Sequence, residues 1–298
     1  MLRALFAFAT PLLLATSPAA AADESCPDLR AEAEADNPDS AFSLALCLYD
    51  SEQPADQAEG VEWARKAAAA GDAEARNAVA VGILQGFDPA TDPEEGWQWM
   101  VQAADEGALG AMITLGFSAL DGKGPFAGDA AKALALLTRA SEHPKIKDRT
   151  RGRILWSVGM LHLQGAGTAP DPVTAYDWIS RSADGGFSDA MISRAVMLAT
   201  GEGVQEDDVA AREWYRRAIA ADDDRIFHAM RGLGGMLWFG EGGPVDRAEG
   251  CKLVTLAEAG GDEHAKTLRT SFFSQMTEEE NRACLAAAEA WAAARKGD

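Results

Sequence analysis

Trp63, Trp99, Trp178 and Trp214 constrain this chain most, because the first two and the last two are each 36 residues apart. Around each Trp stands the same phrase, a small residue before it and an Ala-rich stretch ending in Gly or Asp after it. Self-similarity at this period marks stacked supersecondary units, none of which can bury its apolar face alone.

Each unit reads as two helices. The first carries a small residue followed six positions later by Gly, as in Gly116 to Gly122, Gly159 to Gly165 and Gly234 to Gly240, with Ala80 and Ala195 in the small position before Gly86 and Gly201. The small residue admits a close helix crossing, and the later Gly supplies a left-handed cap. Asp92-Pro93, Asp129, Asp171-Pro172, Asp207 and Asp246 then open the second helix. That helix places Trp, or Leu136 and Leu253, one turn beyond an Ala and closes on Ala-Ala and a small residue. Thr277 to Glu280 forms a capping box that opens a last helix running to about Lys296. Cys284, Leu285, Ala288 and Trp291 are expected to dock that helix on the sixth unit.

This pattern of small residue, Gly-x-Gly, acidic residue, Ala, Trp and Ala-Ala-x-x-Gly resembles the Sel-one-like repeat, a relative of the tetratricopeptide repeat. The resemblance covers residues 39–262 in six units and is clearest over residues 190–222. It implies an all-α, right-handed superhelical solenoid of helix-turn-helix repeats with a C-terminal capping helix. The expected organisation is a signal peptide at 1–22, an N-terminal segment at 23–38, repeats at 39–262 and capping helices at 263–298. The first unit departs from the pattern, having Ser51-Glu52-Gln53 where Gly-x-Gly belongs, and a short basic loop at 145–151 breaks the phase between the third and fourth.

The apolar run from Ala4 to Leu14 after Arg3, ending in Ala19–Ala22, reads as a secretory leader, with a retained anchor as the alternative. It is too short to span a bilayer, which takes about 20 residues. A periplasmic or secreted product without membrane insertion is therefore expected. Four cysteines allow three pairings. Proximity in sequence favours Cys26 with Cys47 and Cys251 with Cys284, each pinning an end of the stack. The formal net charge of −20 disfavours nucleic acid and anionic membranes as partners, since their phosphates need Lys and Arg.

The tetratricopeptide relationship implies that the first helices line a concave face. Transferred to this chain, that face holds Ile113, Phe117, Trp156, Met160, Ile192, Arg231 and Trp238 within a longer stripe that includes Val196 and Phe239. The stripe reads either as an open apolar groove for a partner segment or as core buried against the next repeat. Lys145, Lys147, Arg149, Arg151 and Arg153 form the one concentrated basic patch, read either as a site for an anionic partner or as a solvated loop. The four His residues are scattered, and no nucleophile elbow, zinc pair or phosphate loop is present. No catalytic residue, metal or cofactor is assigned. The cysteine-rich branch of the family that acts on β-lactams has a cysteine pair in each repeat, which this chain lacks, so that activity is not transferred.

The expected role is a non-enzymatic protein–protein interaction scaffold, an adaptor or regulator of envelope signalling whose partner is a membrane sensor or another envelope protein. The alternative is a cell-wall-associated enzyme or polymer-binding accessory protein.

Overall fold

The computed structural model describes residues 26–35, 37–221 and 225–295. The expected leader at residues 1–22 and the residues after Arg295 lie outside them. The described residues form fifteen α-helices and no strand. They fall into two compact units that divide between Ile146 and Lys147.

The first unit holds α1 (Cys26–Glu34), α2 (Pro38–Tyr49), α3 (Pro54–Ala69), α4 (Ala73–Leu84), α5 (Pro93–Asp105), α6 (Leu109–Leu120) and α7 (Ala130–Ser141). The second holds α8 (Asp148–Gln164), α9 (Pro172–Asp184), α10 (Ser188–Thr200), α11 (Asp208–Ala220), α12 (Ile226–Phe239), α13 (Arg247–Ala259), α14 (Glu263–Phe273) and α15 (Glu278–Arg295). Within each unit a helix packs on its neighbours in sequence, except that α15 packs on α13, and the first helices of successive pairs also touch: α2, α4 and α6 in one unit, α8, α10 and α12 in the other. This is the helix-turn-helix repeat packing of a solenoid.

The start and stop signals act where the sequence places them. Asp92, Asp129, Asp171, Asp207 and Asp246 each accept a hydrogen bond from a backbone N–H of the first turn they cap. Gly165, Gly201 and Gly240 close α8, α10 and α12 in the left-handed conformation. The small residues sit at true crossings. A Cβ on Gly159 would come 2.6 Å from Ile179 of α9, and one on Gly234 would come 2.9 Å from the Gly250 carbonyl oxygen of α13.

The second glycine of Gly-x-Gly does more than end a helix. Gly203, after α10, lies against the Pro172 carbonyl at the start of α9, and Gly242, after α12, lies against the Asp208 backbone at the start of α11. In both cases a Cβ would overlap backbone atoms of the preceding repeat. Gly124 is pressed in the same way on the Trp97 ring of α5, where a Cβ would meet it at 3.0 Å.

In four repeats the side chain five residues beyond the capping Asp reaches the repeat or cap that follows. Trp97 meets the Gly124 loop, the Tyr176 hydroxyl accepts from Arg194 Nε at 3.4 Å, and Cys251 is bonded to Cys284 of α15. Arg212, only 3% exposed, donates to the carbonyls of Met236, Gly243 and Pro244 at 2.8–3.4 Å.

The cysteines pair as Cys26–Cys47 and Cys251–Cys284, with Cα–Cα separations of 5.9 Å in both. The capping box at α15 is reciprocal, Thr277 N–H to Glu280 and Glu280 N–H to the Thr277 hydroxyl. Cys284 and Ala288 are buried and Trp291 half-buried, and α15 packs on α13. Leu285 is 37% exposed, because one residue on from Cys284 turns it about 100° off the docking stripe. The basic segment is also corrected. Only its start is a loop: Lys145 and Lys147 lie in the connection, whereas α8 begins at Asp148, an acidic residue suited to a first helical turn, and takes in Arg149, Arg151 and Arg153.

Two glycines with the same backbone handedness separate crowding from strain. Gly186 (φ +88°) has open space where a Cβ would go, whereas Gly203 (φ +74°) does not. Chemical denaturation of Gly186→Ala should show a loss of about 1 kcal/mol, the cost of left-handed backbone alone. Gly203→Ala should lose about 3 kcal/mol or more, since backbone must move as well.

Candidate functional site

In the second unit α8, α10 and α12 lie side by side, and their shared face is a small lattice read by counting back from the closing glycines. Nine residues before them stand Trp156, Ile192 and Arg231; five before, Met160, Val196 and Gly235; one before, Gln164, Thr200 and Phe239. Val196 is 41% and Phe239 58% exposed, while Trp156, Met160, Leu163 and Ile192 are half-buried. Gly235 leaves a notch, where an added Cβ would touch only Leu268 at 3.8 Å.

The aromatic part of this face is held in place. Trp156 donates its indole N–H to the Ser193 hydroxyl at 3.0 Å, and its ring lies 6.0 Å from that of Phe187. Ser193 in turn donates to the Asp189 carbonyl at 2.7 Å, so the indole is oriented through α10. Such amphipathic rings, apolar in body and fixed at the polar tip, suit an interaction surface.

Arg231 is half-buried and donates Nε to Asp262 at 2.9 Å. The Asp262 side chain is 1% exposed and also caps α14, accepting from His264 and Ala265 N–H. Burial pushes its carboxyl upward, but the hydrogen bond and charge of Arg231 outweigh burial and leave it below the usual range. Arg231 therefore serves first as the partner of a buried cap.

Trp238 is not on this face. It is 2% exposed and stacks on Phe272 of α14 at 3.9 Å with the rings nearly parallel. As the residue beside Phe239, it is turned by the helix into the core while Phe239 emerges. In the first unit Ile113 and Phe117, at 7% and 8% exposure, are likewise packed into the body of α6 rather than laid open. The lattice in the second unit thus holds Trp156, Met160, Ile192 and Arg231 together with Val196 and Phe239. Gln164 and the Gly235 notch were missed from sequence, although counting back from the glycines would have found them.

Of the basic residues, Lys145 belongs to the turn after α7. Lys147 and Arg149 are exposed, whereas Arg151 and Arg153 are half-buried on α8. No cluster of three or more His, Cys, Asp or Glu is placed to hold a metal ion among the described residues. No described helix is long and apolar enough to cross a membrane.

The Sel1 repeat profile matches six times, at residues 38–72, 73–107, 110–144, 155–187, 188–223 and 227–262. The chain belongs to the Sel1 repeat family. Solved Sel1-type structures share its fold. The protective antigen c5321 of uropathogenic Escherichia coli, which displays an SLR fold, superposes with a TM-score of 0.71 at 22% identity over 89% of this chain and 55% of that one. A Sel1 repeat protein from Oxalobacter formigenes gives a TM-score of 0.56 at 22% identity, covering 76% of this chain and 89% of its own. The chain therefore spans little more than half of the first of these relatives. No curated protein matches. Sel1-repeat proteins generally serve as protein–protein interaction scaffolds.

Asp262 sets a pH dependence. Its folded pKa lies below its unfolded value near 3.8, so its contribution is complete above that value and is lost as pH falls through the depressed folded pKa. The urea midpoint of wild type should exceed that of Asp262→Asn by a constant margin above about pH 5, and the gap should narrow toward about pH 2. A gap that does not change with pH would show that the carboxylate charge contributes nothing.

Proposed function

We propose that this chain is an exported, non-enzymatic interaction scaffold that holds a segment of another protein on the α8–α10–α12 face of its second unit. The observation that carries the reading is the exposure of Val196 and Phe239 beside an oriented Trp156, an apolar surface that a face with no partner would not gain by leaving wet. The notch at Gly235 offers room for one anchoring side chain beside Leu268. Two disulfides fit a protein that folds in an oxidising compartment. A periplasmic or secreted adaptor or regulator, acting on a membrane sensor or another envelope protein, is the role that joins these features.

Two neighbouring residues separate binding surface from core. Trp238→Ala should cost about 3–5 kcal/mol of stability, while Phe239→Ser should cost under about 1 kcal/mol. A photo-crosslinking residue at Phe239 or Val196 should capture one and the same protein in cells, and Trp156→Ala should abolish the capture without loss of helicity. Crosslinks arising only from the opposite helices, for example from Val173, would overturn the assignment.

A further inference from the structure

Trp97 differs from the other tryptophans of the chain. Trp63, Trp99, Trp178, Trp214, Trp238 and Trp291 each have a Lys or Arg 3.7–5.9 Å from the ring centroid, and Trp156 donates its N–H to Ser193. Trp97 has neither a cation on its ring nor a partner for its N–H among the described residues. Its ring is nonetheless held, with one side against Gly124. It lines a groove of about 400 Å³ on α5, a volume that admits a side chain. Glu94, Gln98, Val101 and Asp105 follow one another along the same side of the helix at spacings of four, three and four, and Pro125 lines the groove from the loop after α6. Glu106 also lines it but is taken by Arg76 of α4. The exposed side chains of Glu94 and Asp105 have no ion pair or hydrogen bond among the described residues. Glu94 suits the first turn of α5, whereas Asp105 stands in the last turn, where the helix dipole disfavours a carboxylate and no basic residue offsets it.

We infer that this groove is a second binding site, for an arginine-bearing segment of a partner protein, with a guanidinium stacked on Trp97 beside Glu94 and a second positive charge at Asp105. No Lys, Arg or His lines the groove, so the cation that the other indoles find within the chain must come from outside. A guanidinium fits better than an ammonium because it stacks on an aromatic face and keeps its N–H groups for carboxylates. An anionic partner would be repelled, and a purely apolar one would desolvate carboxylates without pairing them. From Trp97 to Asp105 the helix rises about 12 Å, which about four residues of an extended segment span. The site lies wholly in the first unit and does not depend on the face proposed in the second.

Anisotropy of fluorescein-labelled peptides against the intact oxidised chain tests this. The peptides are glycine and serine except for two arginines about four positions apart, or two citrullines, which keep the shape without the charge. The arginine peptide should bind about tenfold tighter than the citrulline one and should move the Trp97 indole resonance in a proton–nitrogen correlation spectrum. Glu94→Gln with Asp105→Asn should weaken it about tenfold, whereas Glu62→Gln with Glu279→Gln, which removes as much charge from exposed positions elsewhere, should leave it unchanged. Trp97→Phe keeps a ring against Gly124 and should weaken binding severalfold, and the carboxylate pair carries the test if that variant loses helicity. Asp105→Asn should not lower the urea midpoint, and a lower one would make Asp105 structural and overturn its role. Equal weakening by the two neutralised pairs would reduce the binding to attraction by net charge and overturn the site. Equal affinity of the citrulline peptide, or no binding of the arginine one, would overturn it as well.

Discussion

Backbone-on-backbone contact at the second glycine of Gly-x-Gly sets how closely one repeat lies on the next. At Gly203 and Gly242 the chain passes so near the start of the preceding second helix that no side chain fits between. Packing falls off steeply with small gaps, so a contact of this kind leaves two arrangements, seated or displaced, rather than a range. Everything else in the second unit assumes the seated one. The Arg212 guanidinium reaches the Met236, Gly243 and Pro244 carbonyls only because that loop is drawn in. The left-handed caps at Gly165, Gly201 and Gly240 turn the chain toward these contacts.

Around this contact the repeats use different chemistry at one position. Trp97, Tyr176, Arg212 and Cys251 all stand five residues beyond a capping Asp, and each reaches the next repeat or, for Cys251, the terminal helices. A ring, a hydroxyl, a guanidinium and a disulfide thus do the same job. The disulfide falls where α13 meets the last helix, α15, which buries little besides Cys284 and Ala288. At the other end Cys26–Cys47 ties α1 to α2. End elements have a neighbour on one side only and fray first, which is where a covalent link adds most.

Much of this was legible in the sequence. The period of Trp63, Trp99, Trp178 and Trp214, the Asp caps, the closing glycines and the pairing of cysteines each follow from local rules that tertiary context did not override. The site was less legible. Trp238 and Phe239 are adjacent and equally aromatic, and only the placement of Phe272 decides that one stacks inside while the other emerges. Ile113 and Ile192 occupy matching places in their repeats, yet one is buried and the other half-buried. A repeat pattern fixes which helix face a residue takes and is silent on how far neighbouring side chains cover it. The basic segment was misread for a related reason. Clustered charge suggested a loop, although Asp148 followed by an uninterrupted run to Gln164 is a helix with a good start.

The account therefore depends on a difference in exposure between two parts of one repeat pattern. Hydroxyl-radical footprinting of the intact oxidised chain, read by mass spectrometry at single residues, tests it most directly. Met160, Val196 and Phe239 should be modified readily, while Trp238, Phe272, Ile113 and Phe117 stay protected until the fold is lost. Protection of Phe239 and Val196 to the level of Trp238 in the isolated chain would mean that the face is already closed, and the interaction surface would have to be sought elsewhere.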